Sequence, residues 1–197
     1  FITTYGMKTL FLKPTEMVRG SKKAKELAED ITRYLNVPIS QANGHWPVPS
    51  NTARRANGYT ALAWKHVVVK AKTGVNLNKI ADITDLTNAV EAAILALQAG
   101  KRQWSLSHIV RHYTDSGDHG GAIITWLHEM GHQVQFQAMR MDIPTPGLNE
   151  SITTYSMQDT MEWHAEHFAA WALNRAMLET HYPAIVAYFD ELMGELL

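Results

Sequence analysis

The chain has 197 residues, the size of one domain or of two lobes around one cleft, which argues against a repeat array or multidomain scaffold. Its 46% hydrophobic and 19% charged residues are the balance of a folded soluble protein, and the net charge of -1 removes the electrostatic case for nucleic-acid binding. Cysteine is absent, so disulfides, thiolate metal sites and thiol catalysis are excluded, and any metal must rest on His and carboxylates.

In chain order, Phe1 to Leu12 carries only Lys8 and lacks the cationic start, apolar block and small-residue cleavage site of a signal peptide. A chain that begins at Phe reads as a processed product or a fragment of a longer polypeptide. No stretch approaches the roughly 20 apolar residues of a membrane helix. Residues 21–36 place Ala24, Leu27, Ile31 and Leu35 at helical intervals behind a Ser21 cap, which predicts an amphipathic helix. The Pro, Gly and Asn of residues 37–60 predict a loop with room for one short strand. Residues 64–72, WKHVVVKAK, concentrate β-branched side chains and predict a strand. An Ala- and Leu-rich helix follows over 83–98, stopped by Gly100, and residues 101–113 offer a second strand.

Asp115 to Gly121 (DSGDHGG) predicts a turn-rich loop leading into AIITWLHEMGHQVQFQAM. His128, Glu129 and His132 form an HExxH pattern, and Ile123, Ile124 and Leu127 mark a buried helix. On that helix, positions i and i+4 share one face, so two imidazoles converge on one point while Glu129 reaches a water bound there. Gly131 in the helix interior costs about 1 kcal/mol relative to Ala, which predicts close packing of another element.

A third ligand must come from downstream. Asp142 follows closely ahead of Pro144, and Glu150 lies in a loop or at a helix start. Glu162 and Glu166 sit four apart on a segment whose Met161, Ala165, Phe168, Ala169 and Ala172 have helical spacing. Two carboxylates on the apolar side of a helix are costly unless something cationic receives them. One ligating a metal and one bonded to a ligand His would satisfy both.

The combination of HEMGH with YSMQDTMEWHAEHFAAW resembles the lethal-factor-like zinc metallopeptidases, the peptidase domain of anthrax lethal factor and its relatives in phage proteins and bacterial toxins. The shared pattern is a Tyr seven residues before the first Glu of E-x-x-A-E, met here by Tyr155, Glu162, Ala165 and Glu166, and the resemblance spans residues 123 to 171. It implies one zinc ion on His128, His132 and Glu162, Glu129 as general base, Tyr155 as oxyanion stabiliser, and Glu166 orienting a ligand His. It also implies an α+β, zincin-like fold in which a small twisted sheet backs the HExxH helix and a helical C-terminal lobe supplies the third ligand. The whole of 1–197 then forms a single metallopeptidase domain, with 1–114 as N-terminal lobe and 115–197 carrying the active-site helix and helical lobe. A protein or peptide is the implied substrate, in a secreted, injected or virion-associated setting rather than the cytoplasm.

Two other readings stand beside it. NESITTYS following HEMGHQVQF is also similar to the enhancin-like zinc peptidases, with Glu150 as third ligand, and a catalytically silent zincin would use the same scaffold for binding. Retention of Glu129 argues against silence.

A zinc peptidase would hold an extended peptide along a sheet edge, and Lys65, Lys70 and Lys72 make residues 64–72 the expected edge. His164 and His167 read as partly exposed helix residues, His108 and His112 as a surface pair, and Asp118 and His119 as a turn that caps the HExxH helix. Trp126, Trp163 and Trp171 read as core anchors.

Overall fold

The computed structural model describes residues 1–12, 57–61, 66–70, 83–140 and 150–197. Helix 21–36 and Asp142 lie outside the described residues. A one-turn helix α1 (Ile2–Tyr5) leads into β1 (Lys8–Leu12), followed by β2 (Gly58–Ala61) and β3 (His66–Lys70). Then come α2 (Thr84–Gln98), α3 (Leu106–Tyr113), α4 (Gly117–Gln137), a 3-10 turn (Tyr155–Met157), α5 (Thr160–His181) and α6 (Pro183–Leu196). The architecture is mixed α+β, mostly helical, with a small three-stranded sheet. No described helix is long and apolar enough to cross a membrane.

The sheet order is β1-β3-β2, with β1 parallel and β2 antiparallel to β3. The strand expected at the edge is therefore the central one of the described sheet. The reason lies in its valines: Val67, Val68 and Val69 are all fully buried, on both faces of the strand. Such a run takes neighbours on both sides, and it is β1 and β2 that form the edges.

In α2 the buried residues Leu86, Ala89, Val90, Ala93 and Ile94 follow the helical period, and Gly100 ends the segment with φ of 77°. Residues 106–113 are helix and not strand. Ser105 caps α3 by accepting from the His108 N–H at 3.1 Å, and Leu106, Ile109 and Val110 bury one helical face. The loop expected over 115–121 is replaced from Gly117 onward by the first turns of α4. Its glycines are a packing device: a Cβ on Gly120 would lie 2.6 Å from Val110, and one on Gly121 would strike the Arg111 stem.

Helix α4 is the centre of the molecule, with the sheet on one side and α5 on the other. Trp126 donates to Thr9 of β1 at 2.8 Å and Gln133 donates to Thr60 of β2 at 2.7 Å, fastening the sheet to the helix. On the far side Gly131 does what its cost predicts. A Cβ there would meet Ala165 Cα at 2.8 Å and Phe168 Cβ at 2.9 Å, so α5 crosses α4 at backbone distance.

Helix α6 then closes the core with Ile185, Val186, Phe189 and Leu192. Phe189 stacks on Trp163 at 6.4 Å between ring centroids. Each large side chain buried this way contributes about 1.5–3 kcal/mol. Trp163 is fully buried, while Trp126 and Trp171 pack against the core from partly buried positions, in keeping with their reading as anchors. Helix α5 breaks at Asn174, whose side chain donates to the Thr87 carbonyl at 3.2 Å and accepts from Met177 N–H at 3.2 Å.

Candidate metal centre

His128, Glu129 and His132 occupy consecutive turns in the middle of α4, all buried. The two imidazoles stand edge to face, with ring centroids 4.9 Å apart. Opposite them Asp159 starts α5 by accepting from the Glu162 N–H at 2.8 Å, which fixes Glu162 in the first turn. The Glu162 carboxylate lies 2.9 Å from His128 Nε2 and 3.5 Å from His132 Nε2. Among the described residues, His128, His132 and Glu162 form a group whose ligand atoms all lie within 4.8 Å of one another, and this group is able to bind a metal ion. Glu150 is exposed and stands outside it.

One turn beyond Glu162, Glu166 is buried with both oxygens engaged. Its Oε2 faces His128 Nδ1 at 3.0 Å, and its Oε1 accepts from the Leu106 N–H at 2.7 Å and the Thr153 hydroxyl at 3.3 Å. A carboxylate anchored from α3 and from residue 153 holds the imidazole with its proton on Nδ1, and so presents Nε2 as the ligand atom.

Burial by itself would lower the His128 pKa, but its hydrogen bonds to Glu162 and Glu166 prevail and push it up to about 10. Burial raises Glu162 too, yet its bonds to the two imidazoles hold it well below the usual carboxylate range. Glu129 is raised, first by burial and also by Glu162, against the pull of His132 and His128. The surroundings thus favour positive charge at the point where Nε2 and Glu162 meet. Two imidazoles and a carboxylate around one point, next to two further carboxylates, suit a divalent cation of the class that imidazole and carboxylate hold.

Tyr155 reaches the same place from the 3-10 turn. Its N–H donates to the Trp104 carbonyl at 2.8 Å and the neighbouring Thr154 N–H donates to the Gln103 carbonyl at 2.8 Å, tying this segment to the approach of α3. Its ring lies 5.5 Å from that of His128. Burial, then Glu162 and Glu129, raise its hydroxyl above the ordinary tyrosine range, so it remains a proton donor.

A cleft of about 250 Å³ opens over these groups, lined by His128, Glu129 and Tyr155 together with Gly58, Trp104 and Thr125. The chain matches no protein-family model, no curated protein and no solved structure.

Two lining residues gave no signal in the sequence. Gly58 falls in what reads as a loop, yet it begins β2 hard against Glu129: a Cβ there would lie 2.6 Å from Glu129 Oε1. Trp104 is 50% exposed, with its ring 6.0 Å from that of Tyr155. The missing cue for Gly58 is tertiary, since only the approach of α4 demands a bare Cα.

His164 and His167 are not partly exposed but fully buried. The reason is that α5 packs on α4 along one side and on α6 along another, which leaves its middle no solvent face. His164 pairs through Nδ1 with the Gly131 carbonyl at 3.0 Å. His167 donates from Nδ1 to the Trp163 carbonyl at 2.7 Å and accepts from the Ile152 N–H at 3.2 Å. Burial comes first among the causes that lower His164 to about 3 and His167 to about 4. Both are neutral structural links that hold α5 in place behind the centre. Asp118 and His119 do not form a capping turn: both lie inside the first turn of α4, whose N-cap residue Ser116 makes no side-chain cap hydrogen bond, and the Asp118 carboxylate is 3.5 Å from Arg111.

Proposed function

We propose that the chain is a zinc-dependent endopeptidase of lethal-factor-like type, zincin-like in fold, acting on a protein or peptide in a toxin, effector or phage-associated setting. The observation that carries this reading is that Glu129 and Tyr155 line one cleft together with His128, itself a member of the His128, His132 and Glu162 group. A purely structural site has no use for a buried carboxylate and a tyrosine hydroxyl that ligate nothing.

His128, His132 and Glu162 would hold one zinc ion, which when bound lowers the pKa of its water toward about 7 and polarises a carbonyl. Glu129 is buried beside the ligands, burial raises its pKa, and it would serve as the base that takes a proton and returns it to a leaving amine. Tyr155 keeps its proton and donates a hydrogen bond to the oxygen that gains charge as the peptide bond is attacked. Glu166 holds the His128 ring. Strand β2, an edge of the described sheet with Gly58 against Glu129, is where an extended peptide would be paired by its main chain.

The decisive test is cleavage of a diverse peptide library by zinc-loaded protein, compared with Glu129→Gln. The variant keeps shape and metal but cannot accept a proton, so turnover should fall by about 10²- to 10⁴-fold with zinc retained. Equal turnover by the variant, or a zinc-loaded wild type that cleaves nothing in the library, overturns the reading.

A further inference from the structure

The second i, i+4 histidine pair, His108 and His112 on α3, lies outside the candidate centre. Its ring centroids are 4.3 Å apart, closer than the 4.9 Å between His128 and His132. We propose that His108 and His112 form a second, open metal site that chelates a divalent transition ion of the Ni²⁺, Cu²⁺ or Zn²⁺ class through two imidazoles, with water filling the other positions.

Three observations carry this. His112 is exposed and His108 half-buried, so an ion reaches the pair from solvent without any opening of the fold. Arg111, lying between them in sequence, is turned toward α4: its guanidinium donates to Thr125 at 3.1 Å and stands 3.5 Å from Asp118. Tyr113 packs edge-on to His108 at 6.0 Å between centroids and limits the freedom of that ring. Burial, then His112 and Arg111, lower the His108 pKa, so a proton competes weakly for its nitrogen. With two protein ligands where the buried centre has three, this is the weaker site. Its occupant would clasp two turns of the helix whose Leu106 N–H holds Glu166, and so would stiffen the support of His128.

The site does not depend on the peptidase reading, and its test has no activity readout. The full chain, loaded with one equivalent of Zn²⁺, is titrated with Ni²⁺ by calorimetry while released Zn²⁺ is followed with a chelating dye. One Ni²⁺ per chain should bind without Zn²⁺ release and raise the thermal midpoint. His112→Gln, at an exposed position, should weaken that event by about tenfold or more, because the second imidazole no longer acts at high local concentration. His181→Gln should leave it unchanged. Electron paramagnetic resonance of Cu²⁺ added to the zinc-loaded chain should show two imidazole nitrogens, and fewer than two in His112→Gln. Displacement of Zn²⁺ mole for mole, Ni²⁺ binding undiminished in His112→Gln, or fewer than two coordinated nitrogens in the wild-type chain would each overturn the proposal.

Discussion

Two histidine pairs share one spacing in this chain and have opposite surroundings. His128 and His132 are buried at the waist of α4, faced by Glu162 and backed by Glu166, while His108 and His112 ride the outer surface of α3 with no carboxylate between them. Helical spacing alone brings two imidazoles together. Depth and the carboxylates delivered by another helix separate a buried group of two imidazoles and a carboxylate that could hold a metal ion from an open pair of imidazoles. In the first pair carboxylates face the imidazoles, and in the second none does.

The sharpest way to break this comparison is to remove what the buried pair has and the exposed pair lacks. Glu162→Ala should abolish tight zinc binding, measured as metal content after dialysis, whereas Glu150→Ala should leave one equivalent in place. The reverse result would mean that Glu150 completes the site and that the enhancin-like reading is the right one. Next in size, Tyr155→Phe removes only the hydroxyl and should lower turnover by about 10²-fold with little change in KM. Unchanged turnover would reduce Tyr155 to packing.

Glu166→Gln probes the backing group. It should weaken zinc affinity by about 10-fold or more by loosening the His128 tautomer, while the Ni²⁺ event at His108 and His112 keeps its stoichiometry of one. Zinc affinity equal to wild type would show that the anchoring of Glu166 by Leu106 and Thr153 serves α3 and not the metal.

The smallest effect concerns the packing behind the centre. His167 is held at about 4 in the fold against an ordinary value of about 6.5, so protonation favours the unfolded chain. Its contribution is full above pH of about 6.5 and is lost as pH falls toward 4, where the unfolded state binds the extra proton. His167→Gln should therefore flatten the fall of stability over that window, read from denaturant midpoints. An unaltered slope would place the acid sensitivity elsewhere.

The local features were legible because short-range chemistry writes them. The HExxH spacing, the helical period of 83–98, the cost of Gly131 and the Glu162–Glu166 pair each pointed to an arrangement that the fold contains. Glu162 emerged ahead of Glu150 only through resemblance to a family, since spacing along the chain left both open. Residues 101–113 misled as a strand because their mixed apolar pattern allows either period, and the Ser105 cap decides between them. DSGDHGG misled as a loop because glycine marks both turns and crowded helices.

By itself, then, the sequence determined the two imidazole pairs, the Glu129 carboxylate beside one of them, and the apolar stripes that become α2 and α4. Tertiary structure alone decided that β3 is central and β2 the edge beside Glu129, that Gly58 must be bare, that His164 and His167 have no solvent face, and that Leu106 and Thr153 anchor Glu166. The division has one physical cause. Periodicity and capping act over a few residues, where side-chain identity settles the outcome. Burial, strand order and the partner of a carboxylate depend on which distant segment packs alongside, and α4 meets the sheet and α5 across separations of 30 residues and more, such as the 33 between Gly131 and His164.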